Sequence, residues 1–440
     1  MEIESDKMKY FKKYYKYYLC FLIIFFSLLF FGYNNTDNIW NYGMAHAIHM
    51  GEIPYLDFNI ITTPLYAFYM SFFLLFYDSY LTFLIGQSLL GVLCYYFVDK
   101  MIHKKVLFLI PIIGFGLFYL FFPNYNFLVF TFIVMLMYFD KEDSNDYLIG
   151  VLLGLLVLTK HTMGAVIVIC SFLSTKSFSK IMKRIVGMIG PGIIFLSYLL
   201  ITRSFSSFWN LSIMGLFDFG GHNNYRSTIF MILSVILLLI TIVQMIKNPK
   251  DRALYYILGS FFFVFPIVDL FHFQYILFLF VIYYLSKHEI PKVFYSAGIV
   301  LTIFFTLFNI CYHSKVYMNA EFSSIKHFDG YLVKKDYQKG MKELLDDYRS
   351  GDNHYMFSFS NMFFDIASDH EITYFDIPLY GNFGYDGVDT MKEKVDAMHD
   401  VYFYVQSHPN IQYCDEVYDY IVESSVFQRK VWNYEVYYKE

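Results

Sequence analysis

The first polar stretch of the chain is TDNIWNYGMAHAIHMGEIPYLDFNIITTP at residues 36–64, and it contains three carboxylates but no lysine or arginine. The acids are Asp37, Glu52 and Asp57. A carboxylate can stabilise a helix N-terminus, bind a cation or accept a proton, and a nearby lysine would weaken the last of these functions by favouring the ionised form. The stretch is therefore the first candidate for a functional site.

A helix is predicted between Thr36, a good N-cap residue, and Gly51, a good stop signal. Asp37 then lies in the first turn, where the helix dipole favours a carboxylate by under about 1 kcal/mol. Helix capping is one interpretation of Asp37, and a functional role is the other. One apolar stripe predicts that this helix lies in the membrane interface: Trp40, Met44 and Ile48.

The two histidines of this helix raise the question of a metal site. His46 and His49 are three residues apart, and together with Asp57 they offer the ligands that a divalent cation takes. The spacing is common by chance, and neither ring need face the acid. The sequence therefore establishes no metal ligand and no cofactor, and it leaves His46 and His49 as weak candidates for a divalent cation.

The composition of the whole chain predicts an integral membrane protein. Its 440 residues are 57% hydrophobic and 16% charged, whereas soluble domains contain about 25% charged residues. A lysine-rich segment at 1–16 precedes an apolar run at 17–32 that has no small-residue cleavage site, which predicts an uncleaved signal anchor. We find no motif of a nucleic-acid-binding module.

Eleven apolar runs are candidate membrane crossings, because a helix through ~30 Å of hydrocarbon needs roughly 20 residues, and fewer where the bilayer is thin. The run 64–78 opens with Pro64, is rich in aromatic residues and is short, so we predict an interfacial or re-entrant helix there. The eleven crossings are 17–32, 80–98, 106–122, 124–139, 147–159, 162–174, 185–202, 227–246, 253–268, 274–286 and 293–311.

The distribution of lysine and arginine supports this assignment. With a cytoplasmic N-terminus, the inner segments contain eighteen basic residues and the outer loops contain only Lys160, Arg203 and Arg226, as the positive-inside rule requires. If 64–78 crossed the membrane, thirteen of the eighteen would lie outside. Residues 33–79 then form one long outer loop. The inner segments are 1–16, 99–105, 140–146, 175–184, 247–252 and 287–292.

The chain is predicted to divide into a mainly α transmembrane bundle at 1–311 and a small extracytoplasmic α/β domain at 312–440. Short apolar runs in the second part predict buried strands, and amphipathic stretches between them predict helices. The predicted strands are 355–360, 372–376 and 401–405, and the predicted helices lie near 338–349 and 389–399.

The few polar groups of the other outer loops are further candidates. Lys160 and His161 lie where a span ends, and the alternative for the lysine is that it anchors a helix end by snorkelling. The loop 218–226 contains His222 and Arg226, and its pair Gly220–Gly221 predicts a turn with exposed backbone amides. The alternative there is a polar loop without a ligand.

A third polar group is DLFHFQY at 269–275. Asp269 and His272 are three residues apart and are predicted to share one helical face at the membrane surface. Tyr275 follows three residues after His272. Polar residues at this depth are costly unless they have a function. A structural hydrogen bond between Asp269 and His272 is the alternative.

The segment 37–66 resembles the first outer loop of the GT-C superfamily of membrane glycosyltransferases, which includes protein O-mannosyltransferases and aminoarabinose transferases. Members typically have an acidic residue early in the loop, then a G-x-x-P-Y-x-D-F-like turn, then a proline-led helix. The corresponding features are Asp37, the turn 51–58 and Pro64. The family often has two prolines preceded by a basic residue, whereas this chain has Thr62 and Thr63 before one proline.

The resemblance implies roles for these residues. Asp37 would be the catalytic carboxylate, which deprotonates an acceptor hydroxyl or aligns it with the anomeric carbon of the sugar. Asp57 would orient donor or acceptor, or bind a cation. The leaving group would be a polyprenyl phosphate, so that no general acid is needed. The candidates for binding the donor phosphate are Lys160, His161, His222, Arg226, Asp269, His272 and Tyr275.

The resemblance thus implies a hexosyl- or pentosyltransferase with a polyprenyl-phosphate sugar as donor and its site on the extracytoplasmic face. The composition favours a bacterial plasma membrane as its location. The acceptor, which is a glycan, a lipid or a protein, and the identity of the sugar are left open. One alternative is a transporter or flippase of lipid-linked saccharides. Another is a non-catalytic anchor that presents the domain 312–440 to a partner.

Overall fold

The computed structural model describes most of the chain. The described residues are 2–31, 36–102, 123–142, 145–175, 177–223, 225–288, the single positions 296, 300, 304, 307 and 311, and 318–351, 353–375, 377–406 and 413–440. The predicted crossing 106–122 and most of the crossing 293–311 lie outside the described residues, as do residues 33–35 of the predicted first outer loop.

The chain is mainly helical, as predicted, with a small sheet near its C-terminus. The helices of the first part are α1 Glu2–Phe31, α2 Thr36–Met50, α3 Leu65–Leu74, α4 Tyr80–Ile102, α5 Tyr125–Lys141, α6 Asp146–Thr159, α7 His161–Ser174, α8 Phe178–Ile201 and α9 Phe205–Phe208. A π-helical segment, Trp209–Met214, joins α9 to α10 Gly215–His222, which is followed by α11 Thr228–Lys247, α12 Arg252–Ser260, the 3-10 turn Phe261–Val264 and α13 Leu270–Lys287.

Four of the described helices are long and apolar enough to cross a membrane. The shorter apolar helices Asp146–Thr159 and His161–Ser174 lie at the predicted crossings 147–159 and 162–174. The run 64–78 contains only the ten-residue helix Leu65–Leu74, which spans about 15 Å and is half the length of a crossing helix. The four long helices are Tyr80–Ile102, Phe178–Ile201, Thr228–Lys247 and Leu270–Lys287.

Contacts divide the chain into two compact units that do not follow chain order. Unit 1 comprises Met1–Tyr33, Leu84–Gly192 and Arg226–Met318, and unit 2 comprises Asn34–Phe83, Ile193–Tyr225 and Asn319–Glu440. The predicted boundary at 311/312 is close to the last change of unit, at Met318. The predicted division cuts the chain once, at 311/312. In the structure, by contrast, the segments 34–83 and 193–225 pack in the same unit as the C-terminal part.

Within unit 1, α6 and α7 form a helical hairpin whose tip is Lys160. A Cβ atom on Gly164 would collide with Val157, so the glycine allows the two helices to approach closely. At the far end of the hairpin, Asp146 and Ser171 both bind the guanidinium of Arg184 from α8. A small residue such as Gly164 at a close contact between two helices is typical of helices that pack in membranes.

Arg184 is fully buried in an ionic network at the ends of several helices. Its guanidinium contacts Asp140 at 2.8 Å and Asp146 at 2.9 Å. Asp140 also accepts hydrogen bonds from Arg252 and Tyr256. The carboxylates of Asp140 and Asp146 balance the charges of the two arginines, because a buried ion is stable only when it is paired. These residues therefore hold helix ends together, whereas the sequence alone indicated the arginines only as charges of inner loops.

Unit 2 contains the C-terminal sheet. Its strands are β1 Ala320–Phe322 and β2 Leu332–Lys334, which pair with each other, and β3 His354–Phe357, β4 Val401–Val405, β5 Val426–Val431 and β6 Tyr434–Lys439. The last four form a sheet of order β3-β4-β6-β5 in which only β3 and β4 are parallel. The helices of this part are α14 Lys335–Tyr348, α15 Asn361–Ser368, α16 Gly387–Ala397 and α17 Asp415–Glu423.

The predicted strand at 372–376 is wrong for its described part, because residues 372–375 form no ladder. Phe375 is nevertheless fully buried and packs against Phe357 and Phe403 of the sheet. The apolar pattern therefore reported burial correctly but not strand pairing. The predicted strand 355–360 overlaps β3 only at 355–357, the predicted strand 401–405 coincides with β4, and the hairpin β5–β6 was not predicted.

Candidate functional site

Asp37 lies in the first turn of α2, as predicted, and is exposed. The helix begins at Thr36 and ends at Met50, where Gly51 takes a left-handed conformation with φ 99°. The Glu52 amide then donates to the Ala47 carbonyl at 2.9 Å, which closes the helix end. The predicted helix bounds and the glycine stop at Gly51 are confirmed, and the Asp37 carboxylate is accessible from solvent.

Neighbouring residues of Asp37 on α2 are held by polar contacts inside unit 2. Asn38 donates to the hydroxyl of Tyr80 at 2.7 Å, and the Tyr42 hydroxyl donates to the backbone carbonyl of His327 at 3.0 Å. Trp40 donates its indole N–H to the Phe359 carbonyl at 3.1 Å, and the prediction that its stripe faces the membrane interface stays a prediction. These contacts fix the rotation of the helix and hence the direction of its first turn.

Asp57 closes the turn that follows α2. Its carboxylate accepts the Ile53 amide at 2.6 Å, although the side chain is otherwise exposed. Tyr55 is buried with φ 75°, and its hydroxyl donates to the Thr62 carbonyl at 3.0 Å. The predicted G-x-x-P-Y-x-D-F turn is thus an ordered structure in which Asp57 has a conformational function, while its predicted substrate contact stays a prediction.

Glu52 and Asp365 form a pair of acids that the sequence did not single out together. Glu52 accepts the Ile372 amide at 3.3 Å, and burial raises the pKa of its carboxyl to about 7. Asp365 is fully buried, and it accepts the Tyr348 hydroxyl at 2.6 Å. Burial raises the pKa of Asp365 well above its usual range, and the nearby Glu52 charge adds to the effect.

In unit 1 the structure brings Arg226 beside the predicted pair Asp269–His272. Arg226 forms a parallel bridge with Val268, and the Ser227 amide donates to the Val268 carbonyl at 2.8 Å. Asp269 caps α13 by accepting both the His272 amide and its ring Nδ1 at 2.8 Å. Burial acts to raise the pKa of Asp269, but the hydrogen bonds from His272 lower it overall.

The alternative of a structural Asp–His hydrogen bond is therefore present. It also fixes the orientation of the His272 imidazole. Tyr275 belongs elsewhere, because it is fully buried and stacks on Phe263 with ring centroids 4.8 Å apart. Its ring is part of the core of unit 1, and nothing in its position supports the predicted contact with a donor phosphate.

Lys160 occupies the tip of the hairpin in unit 1, with His161 opening α7 beside it. Its ammonium donates to the Asn126 side chain at 2.9 Å and lies 5.5 Å from the ring centre of Tyr125. Desolvation lowers the pKa of Lys160 to about 8. A lysine in this setting is held in place by polar partners rather than extended towards water, which differs from the snorkelling alternative.

The predicted polar loop at 218–226 is helical in its first half. Gly220 and Gly221 belong to α10, so the predicted turn with exposed amides is wrong. The helix ends only at His222, and glycines are common near helix C-termini. His222 is exposed, donates from Nδ1 to the Asp218 carbonyl at 3.0 Å and stacks on Tyr380 at 4.4 Å. This part of unit 2 thus packs on the C-terminal segment.

His46 has a different carboxylate partner from the one predicted. Its Nδ1 lies 3.0 Å from Asp78, and His327 contacts the same carboxylate at 3.0 Å. Neither His49 nor Asp57 belongs to this group. No signal in the sequence joined His46 to His327, because the pairing depends on how the C-terminal part packs against α2.

The predicted site residues fall in both units. Unit 2 contains Asp37, Asp57 and His222, and unit 1 contains Lys160, His161, Arg226, Asp269, His272 and Tyr275. A cavity of about 630 Å³ in unit 1 is lined by none of them, since its walls come from other residues, among them Lys141, Lys247, Lys250, Arg252 and Lys287. Comparisons of the chain with protein-family models, curated proteins and solved structures find no match.

Proposed function

We propose that the protein is a membrane glycosyltransferase that transfers a sugar from a polyprenyl-phosphate donor to an extracytoplasmic acceptor, with Asp37 as the catalytic carboxylate. The observation that carries the proposal is the position of Asp37. It is an exposed acid in the first turn of α2, a helix held in place by the hydrogen bonds of Asn38 and Tyr42. A carboxylate with a fixed direction suits a reaction that depends on alignment.

In the proposed reaction the Asp37 carboxylate accepts the proton of the acceptor hydroxyl as its oxygen attacks the anomeric carbon. The bond between that carbon and the phosphate oxygen breaks at the same time, and the polyprenyl phosphate leaves as an anion. A base on one face of the sugar and a leaving group on the other is the logic of inverting transfer. A phosphate is a stable anion, so protonation of the leaving group is unnecessary.

The donor phosphate requires cations, and unit 1 offers two candidates in ordered surroundings. Arg226 is exposed beside the Asp269–His272 pair, and Lys160 is held by Asn126. Guanidinium and ammonium groups bind phosphate oxygens by charge-assisted hydrogen bonds. Within unit 1, Lys160, Arg226 and His272 are therefore the candidates for binding the donor phosphate, as the sequence predicts.

The test compares three purified proteins: wild type, Asp37→Asn and Asp389→Asn. Asp389 is a matched control, because it is also an exposed acid in the first turn of a helix of unit 2, α16. Each protein receives a panel of polyprenyl-phosphate sugars with membrane glycan, lipid and peptide acceptors. Release of free polyprenyl phosphate and labelling of the acceptor are both measured.

We expect transfer by wild type and by Asp389→Asn, and a loss of at least 100-fold in Asp37→Asn, which is the scale of general-base catalysis. Asparagine retains the hydrogen-bonding ability of the first-turn side chain but cannot accept the proton. Full activity of Asp37→Asn would return Asp37 to a capping function. Movement of the lipid-linked saccharide across vesicles without any transfer would favour the flippase alternative.

A further inference from the structure

Three metal-ligating side chains from three separate segments meet in unit 2. They are His46 from the middle of α2, Asp78 from the segment after α3, and His327 from the loop between β1 and β2. One ligand atom from each lies within 4.8 Å of the others. The His46 Nδ1 and the His327 Nδ1 each lie 3.0 Å from an oxygen of Asp78.

The geometry of the group suits one small divalent cation. Zinc binds imidazole nitrogen and carboxylate oxygen at about 2.0–2.2 Å, which places neighbouring ligand atoms roughly 3–3.5 Å apart in a tetrahedral site. The two His–Asp separations of 3.0 Å already match this spacing, and the two imidazole nitrogens, which lie within 4.8 Å of each other, would move closer together around the ion. The side chains are also largely shielded, with exposed fractions of 6% for His46, 15% for Asp78 and 14% for His327.

A second carboxylate supports one of the ligands from behind. The Nε2 of His327 lies 3.1 Å from Asp369, and Asp369 is paired with Lys326 at 2.6 Å. This contact engages one ring nitrogen of His327 and leaves Nδ1 to face the centre of the group. Metal-ligating histidines almost always donate their other N–H in this way, which fixes the tautomer and the ring orientation.

The backbone of His327 is also held in place. Its φ of 64° is left-handed, a conformation that non-glycine residues rarely adopt. The His327 carbonyl accepts hydrogen bonds from the Tyr42 hydroxyl at 3.0 Å and from the Tyr80 amide at 2.8 Å. The surrounding structure therefore over-determines the position of this residue, as is common at ligand-binding positions.

We propose that His46, Asp78 and His327 bind one divalent transition-metal ion of the zinc class, with Asp369 as a positioning residue. Imidazole and carboxylate ligands favour such an ion over magnesium or calcium, which prefer oxygen alone. Three protein ligands leave one tetrahedral position for water or an anionic ligand. The ion would link α2, the segment after α3 and the β1–β2 loop, and this inference does not depend on glycosyl transfer.

Zinc binding is measured on the full chain in detergent, purified with a tag that contains no histidine and stripped with a chelator. The protein is titrated with Zn²⁺ against a chromophoric competitor, and bound metal is counted by mass spectrometry after gel filtration. We expect one zinc per wild-type chain and a melting temperature that rises on zinc addition. A wild type that is folded but retains no zinc would overturn the proposal.

Variants separate this site from other histidines. We expect His327→Ala and His46→Ala to lose the tight site, and Asp369→Asn to bind about 10–100-fold more weakly, as is typical when a partner of a ligand is removed. His49→Ala is the matched control, because it removes an imidazole from the same helix outside the group, and it should bind like wild type.

Circular dichroism establishes that each variant is folded before its affinity is compared. If the alanine variants do not fold, Asp369→Asn decides, because it keeps every ligand and the hydrogen-bonding shape of the carboxylate. Equal zinc affinity in wild type and in the folded variants would mean that the group is a salt-bridged cluster only. Loss of transfer activity plays no part in the readout, so this proposal and the proposed function can fail independently.

Discussion

Single residues of unit 2 have an acid–base chemistry set by their burial. Glu52 is half-buried beside Glu371 and Asp57, and its pKa of about 7 is far above that of a carboxyl in water. Asp365 is fully buried near Glu52, and its carboxyl also favours the protonated form. Because the two groups interact, their protons belong to the pair rather than to either residue.

This pair predicts that folding stability falls as the pH rises. In the unfolded chain both carboxyls lose their protons near pH 4, whereas the folded protein retains them up to about pH 7 at Glu52. Between these values the native state binds more protons than the unfolded state, so each step upward in pH destabilises the fold. We expect the melting temperature in detergent to fall between pH 5 and pH 8.

The variants Asp365→Asn and Glu52→Gln should each flatten this dependence, with an effect on the order of 1 kcal/mol at pH 8. Glu371→Gln is the control, since Glu371 is exposed and only adds its charge to the surroundings of Glu52. A melting temperature that is constant with pH in wild type, or a slope that both variants leave unchanged, would contradict the assignment.

The sequence could predict the positions of those site residues that depend only on local helix geometry. Asp37 is in the first turn of α2, and Asp269 is bonded to His272 three residues later, because helix geometry alone decides both placements. Asp78 and His327 could not be predicted as partners of His46. They come from segments far apart in the chain, and only tertiary packing makes them neighbours.

At the scale of helices, glycines determine how closely α6 and α8 pack. A Cβ atom on Gly150 would collide with the backbone carbonyl of Arg184, and one on Gly187 would collide with the carbonyl of Tyr147. A Cβ atom on Gly154, one turn after Gly150, would lie 3.1 Å from the Pro191 side chain. The G-x-x-x-G spacing of α6 therefore forms a close interface within unit 1, as small residues do between membrane helices.

Gly150→Ala should destabilise unit 1, because the added methyl group would collide with the backbone of Arg184. Backbone atoms cannot move away by a change of side-chain rotamer. Overpacking of this kind costs about 1–3 kcal/mol. The matched control is Gly190→Ala in α8, where a Cβ atom would meet nothing within 4 Å. Thermal unfolding in detergent measures both, and equal stability of the two variants would show that α6 and α8 are farther apart.

A helix or strand could be predicted from the sequence where neighbouring residues alone determine it, and not where it depends on packing against distant segments. Helix α2 has a start residue and a glycine stop in the sequence, and both were found. The strand predicted at 372–376 failed because an apolar run reports burial and not hydrogen-bond partners. Arg184 was counted only as an inner-loop charge, and its burial against Asp140 and Asp146 depends on three helices meeting.

At the scale of the whole molecule, the number of crossings decides where every loop lies. Four described helices are long enough to span a bilayer. The remaining crossings of the eleven rest on apolar runs in the sequence, and the distribution of basic residues is the argument that 64–78 does not cross. The short helix Leu65–Leu74 is the critical element. If it does not cross, the C-terminal sheet is outside and the loop 247–252 is inside, and if it crosses, both are reversed.

Cysteine labelling in intact cells tests this arrangement. In a background with Cys311→Ser, single cysteines are placed at two exposed positions, Ser350→Cys after α14 and Lys250→Cys between α11 and α12. With eleven crossings and an inner N-terminus, we expect a membrane-impermeant maleimide to label Ser350→Cys at once and Lys250→Cys only after the cells are permeabilised. The positive-inside rule predicts this pattern, since thirteen basic residues would otherwise face outwards. The reverse pattern would mean that the helix Leu65–Leu74 crosses the membrane, and it would move the C-terminal sheet to the cytoplasm.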